Sequence, residues 1–121
     1  VCELIRDALE PDAALTDVGS AKASVVAAVR TAFGALPASF VPGHPIAGNE
    51  KSGVAAAYAG LFEGRRVILT PLSETDEQAL ARWLRETLGE AELADAVDAL
   101  LGQDLSGHER RRRLLGLLGL R

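Results

Sequence analysis

A single cysteine, Cys2, rules out any disulfide within the chain and fits a reducing, cytoplasmic setting. Aromatic residues make up only 4% of the sequence and methionine is absent. The core must therefore rest on Ala, Val, Leu and Ile. No apolar run approaches the ~18 residues of a membrane span, and no secretory pattern opens the chain. An excess of positive charge is missing too. The formal net charge is -4, which gives no general attraction to nucleic acid or anionic lipid. The 121 residues amount to one domain at most, and 25% charged residues with 48% hydrophobic ones describe an ordinary globular chain.

Only two histidines occur. His44 stands in the stretch Phe40-Val41-Pro42-Gly43-His44-Pro45-Ile46-Ala47-Gly48-Asn49-Glu50-Lys51-Ser52-Gly53. Pro42 and Pro45 stiffen the flanks, and Pro45 biases His44 away from helical backbone. Gly43 suits a close backbone approach or a positive φ. The segment reads as a rigid loop holding one titratable ring. Taken alone, such a histidine more often completes a packed turn.

Taken in order, Val1, Leu4, Ile5, Ala8 and Leu9 fall at helical spacing until Pro11. Ala13 to Val18 reads as a strand, and Ser20 as an N-cap for a helix over Ala21 to Gly34. Ser39 to Val41 reads as a second strand, Lys51 to Leu61 as a helix and Arg65 to Thr70 as the clearest strand. A helix from Thr75 to Leu88 carries Leu80, Trp83, Leu84 and Leu88 on one face. This alternation predicts an α/β fold with a mostly parallel sheet. In such sheets ligands bind outside the carboxyl ends of the strands, which brings Asp17 to Ser20 and His44 to one edge. Beyond Gly89, Leu93, Val97, Leu100 and Leu101 fit an amphipathic helix, whereas Gly116 and Gly119 predict a frayed end. Arg110 to Arg113 form a solvated charge run, and no nucleic-acid partner is expected. His108 has no companions at a metal-ligand or catalytic spacing, and no metal is expected.

Three blocks, Thr16-Asp17-Val18-Gly19-Ser20-Ala21-Lys22, Phe40 to Gly53, and Leu61-Phe62-Glu63-Gly64-Arg65-Arg66-Val67-Ile68-Leu69-Thr70-Pro71, together resemble the prephenate dehydrogenase family, which includes arogenate-using enzymes of tyrosine synthesis. The resemblance implies a partial Rossmann-like fold and an NAD- or NADP-dependent oxidative decarboxylation of prephenate or arogenate. It makes His44 the residue that draws off the ring-hydroxyl proton and Ser20 the residue that orients it. Glu50 would stand at the mouth of the substrate pocket, with Asn49 beside it. Asp17, Gly19 and Ser20 would lie on the cofactor side; Asp17 could equally bond local backbone, and Glu50 and Lys51 could be a solvated pair. The full-length family protein would be a homodimer.

Two departures bear on this. No Gly-x-Gly-x-x-Gly fingerprint occurs, and Asn49-Glu50 stand where a phosphate loop would need Lys and Ser/Thr after Gly43 to Gly48. The resemblance places that fingerprint upstream of Val1, so the chain reads as a piece of a longer protein, inactive alone. Residues 1–89 then form the later part of a nucleotide-binding domain, and 90–121 a helical tail outside the family pattern. A reading-frame change near Gly89 would create such a tail, and sequencing the gene there tests it. The competing reading is a non-catalytic α/β module that self-associates or binds a protein through its sheet edge and leucine-rich tail.

Overall fold

The computed structural model describes residues 1–48 and 53–119. Three strands form one sheet in the order β1 (Leu15–Asp17), β2 (Phe40–Pro45), β3 (Val67–Leu69). The sequence-predicted α/β class is what the structure shows. β1 and β2 are parallel, with Leu15 opposite Phe40 and Asp17 opposite Pro42. They are joined through helix α2 (Lys22–Phe33), as a parallel pair requires. β3 instead runs antiparallel to β2, with Gly43 opposite Leu69 and His44 opposite Ile68. The sheet is therefore mixed.

The reason lies between β2 and β3. A helix over Lys51 to Leu61 would have carried the chain back for a parallel pairing. Among the described residues that segment holds only a 3₁₀ turn, Val54–Ala56. Val54 in that turn is almost fully exposed and gives it no buried apolar anchor. Gly53 and Gly64, both at positive φ, bend the connection back on itself.

β2 is longer than its sequence suggests and includes His44, which thus lies on a strand end rather than in a loop. Polar side chains brace it from both sides. Thr16 Oγ1 donates to the Val41 carbonyl at 2.8 Å, and Thr75 Oγ1 donates to the Phe40 carbonyl at 2.9 Å. Gly43 has no positive φ, and a Cβ there would meet only ordinary contacts, so neither reason the sequence suggested for a glycine applies.

The α-helical layer builds outward from β2. Asp76 caps α3 (Glu77–Trp83), its side chain accepting the N–H groups of Gln78 and Ala79. The helix passes into a π-helical turn, Leu84–Leu88, that ends at Gly89 in the left-handed region. Helices α4 (Ala91–Leu101) and α5 (Gly107–Leu117) follow. Arg85 ties the π turn to α4 through Asp95 and Asp98, at 2.6 and 3.0 Å. Val41, Leu69, Leu80, Trp83, Leu84, Ala94, Val97, Leu100 and Leu114 form one buried cluster.

The last helix reaches further than its glycines suggested, while residues 120–121, where fraying was expected, lie outside the described residues. Residues Gly107 to Leu117 are helical rather than frayed, because Leu114 is buried in the core and Ser106 caps the helix by accepting the Glu109 N–H at 3.3 Å. At the other end, helix α1 (Cys2–Arg6) buries none of its residues; Val1 and Leu4 are exposed and Cys2 is only half-buried. No helix among the described residues is long and apolar enough to cross a membrane.

Candidate functional site

The parallel pairing of β1 and β2 brings their carboxyl ends side by side, and the chemistry gathers there. As the chain leaves β1, the Asp17 carboxylate folds over the turn and Oδ2 accepts the Gly19 N–H at 2.9 Å. Lys22, the first residue of α2, returns to the same oxygen with its ammonium group. Its Nζ also donates to the Gly43 carbonyl of the next strand. The Gly43 N–H in turn donates to Asp17 Oδ1 at 3.3 Å.

Strand geometry explains why side chains serve Gly43. Pro42 accepts the Thr70 N–H at 2.9 Å and Ile46 donates to the Arg66 carbonyl at 2.8 Å, both toward β3. Alternation turns the backbone groups of Gly43 the other way, to the side where β1 has already ended. Unpaired, the two groups would each carry a desolvation cost. Asp17 and Lys22 take the place of the missing strand. Their side chains are 15% and 20% exposed, so the ion pair is shielded from salt.

His44 follows directly. Its Nδ1 lies 3.4 Å from the Val18 carbonyl oxygen. A carbonyl can only accept, so a hydrogen bond here requires the proton on Nδ1, and in that neutral ring Nε2 keeps its lone pair. The ring is partly exposed, and Ile68 opposite it is 46% exposed. Together they form an accessible polar-apolar patch at the strand ends.

Ser20 sits in the turn beside this patch with its side chain exposed. It does not cap α2. The helix starts at Lys22 with Ala21 in the cap position, and the Ser20 carbonyl accepts the Lys22 N–H at 3.2 Å. The protein group bonded to the His44 ring is the Val18 carbonyl rather than the Ser20 hydroxyl. Gly19 is closely packed, since a Cβ would lie 3.0 Å from Val25 Cγ2 and 3.2 Å from Asp17 Oδ2. Asn49 and Glu50 lie outside the described residues. Lys22 was the residue that sequence reasoning passed over. Its signals were its place at the end of the first family-like block and its spacing from Asp17, across a turn whose geometry the sequence does not state.

A cleft of about 890 Å³ borders the site, with Thr16, Asp17 and Val18 among its lining residues. Gly43, Pro45, Val67 and Leu69 line it, while His44 and Ile68, one step out of phase on the same strands, do not. Trp83 forms part of its floor, and the indole Nε1 is buried without a hydrogen-bond partner. Among the described residues no group of three or more His, Cys, Asp or Glu could hold a metal ion.

The arginine run is absorbed by its own surroundings. Arg112 and Arg113 pair with Glu109 at 2.7 and 2.8 Å, and Arg110 reaches the Gln103 carbonyl at 3.4 Å.

Residues 1–92 match the family model described as "Prephenate dehydrogenase, nucleotide-binding domain". The chain is 49% identical over 80 residues to the prephenate dehydrogenase of Bacillus subtilis (strain 168), covering 64% of this chain and 21% of that protein. It is 42% identical over 82 residues to the cyclohexadienyl dehydrogenase of Zymomonas mobilis, covering 67% of this chain and 27% of the relative. The crystal structure of prephenate dehydrogenase from Aquifex aeolicus superposes with a TM-score of 0.56 at 34% identity, covering 84% of this chain and 38% of that one. The chain thus spans between about a fifth and about a quarter of the length of these two curated relatives.

Proposed function

Since the chain belongs to the prephenate dehydrogenase family through its nucleotide-binding domain, we propose that it supplies the catalytic-histidine part of an NAD- or NADP-dependent oxidative decarboxylation of prephenate or arogenate. The observation that carries this reading is the His44 ring at the carboxyl edge of the parallel pair, Nδ1 turned to the Val18 carbonyl and Nε2 left with its lone pair.

In this reading Nε2 accepts the proton of the substrate's ring hydroxyl as the carbon–hydrogen bond beside it breaks. Loss of carbon dioxide then completes the aromatic ring. Nicotinamide, when bound, accepts the hydride. Ser20 and the exposed turn around Val18 stand next to His44 and suit the nicotinamide end of the cofactor. Asp17 serves the site through backbone, since both of its oxygens are already engaged. No glycine-rich turn suited to a diphosphate occurs in residues 1–48 or 53–119, so those contacts belong to other parts of the protein. Asn49 and Glu50 are assigned to the substrate side by the family resemblance. Residues 1–89 form the family part and 90–121 a helical addition, in a cytoplasmic protein that acts as a homodimer.

The test is a chimera in which residues 1–92 replace the matching segment of the Bacillus subtilis relative. Reduced cofactor is followed at 340 nm with prephenate or arogenate. Turnover that falls by about 10²–10⁴ in His44→Asn is the expected result. A folded chimera inactive with both substrates rejects the reading. The isolated chain is expected to show no turnover.

A second reading has its own observation. Val1, Leu4, Val54, Tyr58 and Phe62 are exposed apolar side chains, and β1 has a free edge. These favour self-association. Size-exclusion chromatography of the isolated chain tests this second reading, which a clean monomer rejects.

A further inference from the structure

The clamp on Gly43 does more than close a sheet edge. We propose that Asp17 and Lys22 are positioning residues for His44: their ion pair fixes the Gly43 backbone so that the imidazole keeps its Nδ1 proton on the Val18 carbonyl and presents Nε2 outward. The kinetic part of this proposal rests on the reading of His44 given above; the tautomer part stands without it.

The geometry supplies three linked restraints. Asp17 Oδ1 holds the N–H of Gly43 and Lys22 Nζ holds its carbonyl, so the peptide groups on either side of Gly43 are both held. One of those peptides leads directly into His44. Asp17 Oδ2 also holds the Gly19 N–H, which fixes the turn carrying the Val18 carbonyl. The two partners of the contact at 3.4 Å, ring and carbonyl, are therefore tied to a single carboxylate. Loosening that carboxylate frees both ends at once. A proton acceptor displaced by a fraction of an ångström loses much of its effect, because proton transfer needs hydrogen-bond distance and alignment.

The tautomer can be read directly in the intact 121-residue chain, which holds only His44 and His108. Long-range ¹H–¹⁵N correlation spectra at pH 8 distinguish an Nδ1-protonated ring from an Nε2-protonated one. His44→Asn assigns the signals. The expected result is an Nδ1-protonated His44, the form an unrestrained imidazole in water disfavours. Lys22→Met, which keeps the length and removes the charge, should return His44 to the Nε2-protonated form. Asp17→Asn, which keeps an acceptor for Gly43, should do the same if Lys22→Met fails to fold by circular dichroism.

An Nε2-protonated His44 in the unaltered chain overturns the proposal outright. So does an unchanged tautomer in a folded variant. In the active chimera, Lys22→Met should lower kcat by about 10–100-fold with KM for prephenate little changed. A chimera without turnover would reject the proposed reaction while leaving the tautomer result to stand or fall alone.

Discussion

Arg111 and Pro71, 40 residues apart in sequence, are joined by a hydrogen bond, the guanidinium donating to the proline carbonyl at 2.9 Å. This contact runs from the arginine-rich helix to the chain that has just left β3. It makes α5 part of the same body as the sheet. Four residues' worth of positive charge had suggested a solvated appendage; one of the four is a structural strut.

The first prediction concerns that helix. Leu114 is 4% exposed in the main core. Leu114→Ala should cost about 2–4 kcal/mol, measured by urea unfolding followed through Trp83 fluorescence. Leu117, 40% exposed on the same helix, is the control. Its replacement by alanine should stay within about 0.5 kcal/mol. Equal effects at both positions would show that α5 is not docked as described.

The two glycines of the site should respond in opposite ways. Gly43→Ala meets only ordinary contacts, the nearest being the Asp17 carbonyl at 3.4 Å, and removes a glycine from a strand. It should leave stability unchanged or raise it by up to about 1 kcal/mol. Gly19→Ala presses on Val25 Cγ2 and Asp17 Oδ2 and should destabilise by about 1–3 kcal/mol. Thermal melts decide between them. A costly Gly43→Ala would mean the strand ends are packed more tightly than described.

Asp76 gives a third test. Its carboxylate accepts two N–H groups at the start of α3, each at 3.3 Å. Asp76→Ala should cost about 1 kcal/mol, and Asp76→Asn less, since asparagine caps nearly as well. Loss of equal size in both would point to charge rather than capping.

Acid should loosen α5 before the core. Hydrogen bonds from Arg112 and Arg113 hold the Glu109 carboxyl below its ordinary value of 4.5. A carboxyl depressed in the folded state contributes stability above its unfolded value, and that contribution is lost as pH falls through the folded one. The stability curve should therefore decline below about pH 4.5. Glu109→Gln should lower stability at pH 7 and flatten that decline. An unaltered acid limb in the variant would remove Glu109 from the account.

Much of the site was legible because its determinants are local. Asp17, Gly19, Ser20 and His44 all stand at ends of β1 and β2, where a parallel pairing must bring them together. The apolar stripe of Leu80, Trp83 and Leu84 likewise announced α3 and its buried face. The direction of β3 was not legible. It depends on whether the segment before it crosses the sheet as a helix, and Val54 there is left almost fully exposed. Ser20 as a cap failed for a related reason. Propensity names good capping residues, but Lys22 is drawn onto Asp17, and the helix begins one residue later than the serine requires. The order of α5 was hidden in a tertiary contact, Leu114 against the core, that outweighs the glycines around it.

The buried cluster that joins Val41 to Leu114 also sets a schedule for synthesis. Val41 leaves the ribosome well before Leu114 does; at about 5–20 residues per second the interval is on the order of 4–15 s. During that time the sheet's apolar face waits without its last helix. A chaperone that shields short aliphatic stretches would find its target in this nascent chain between β3 and α5, and a pause placed there would lengthen the exposure.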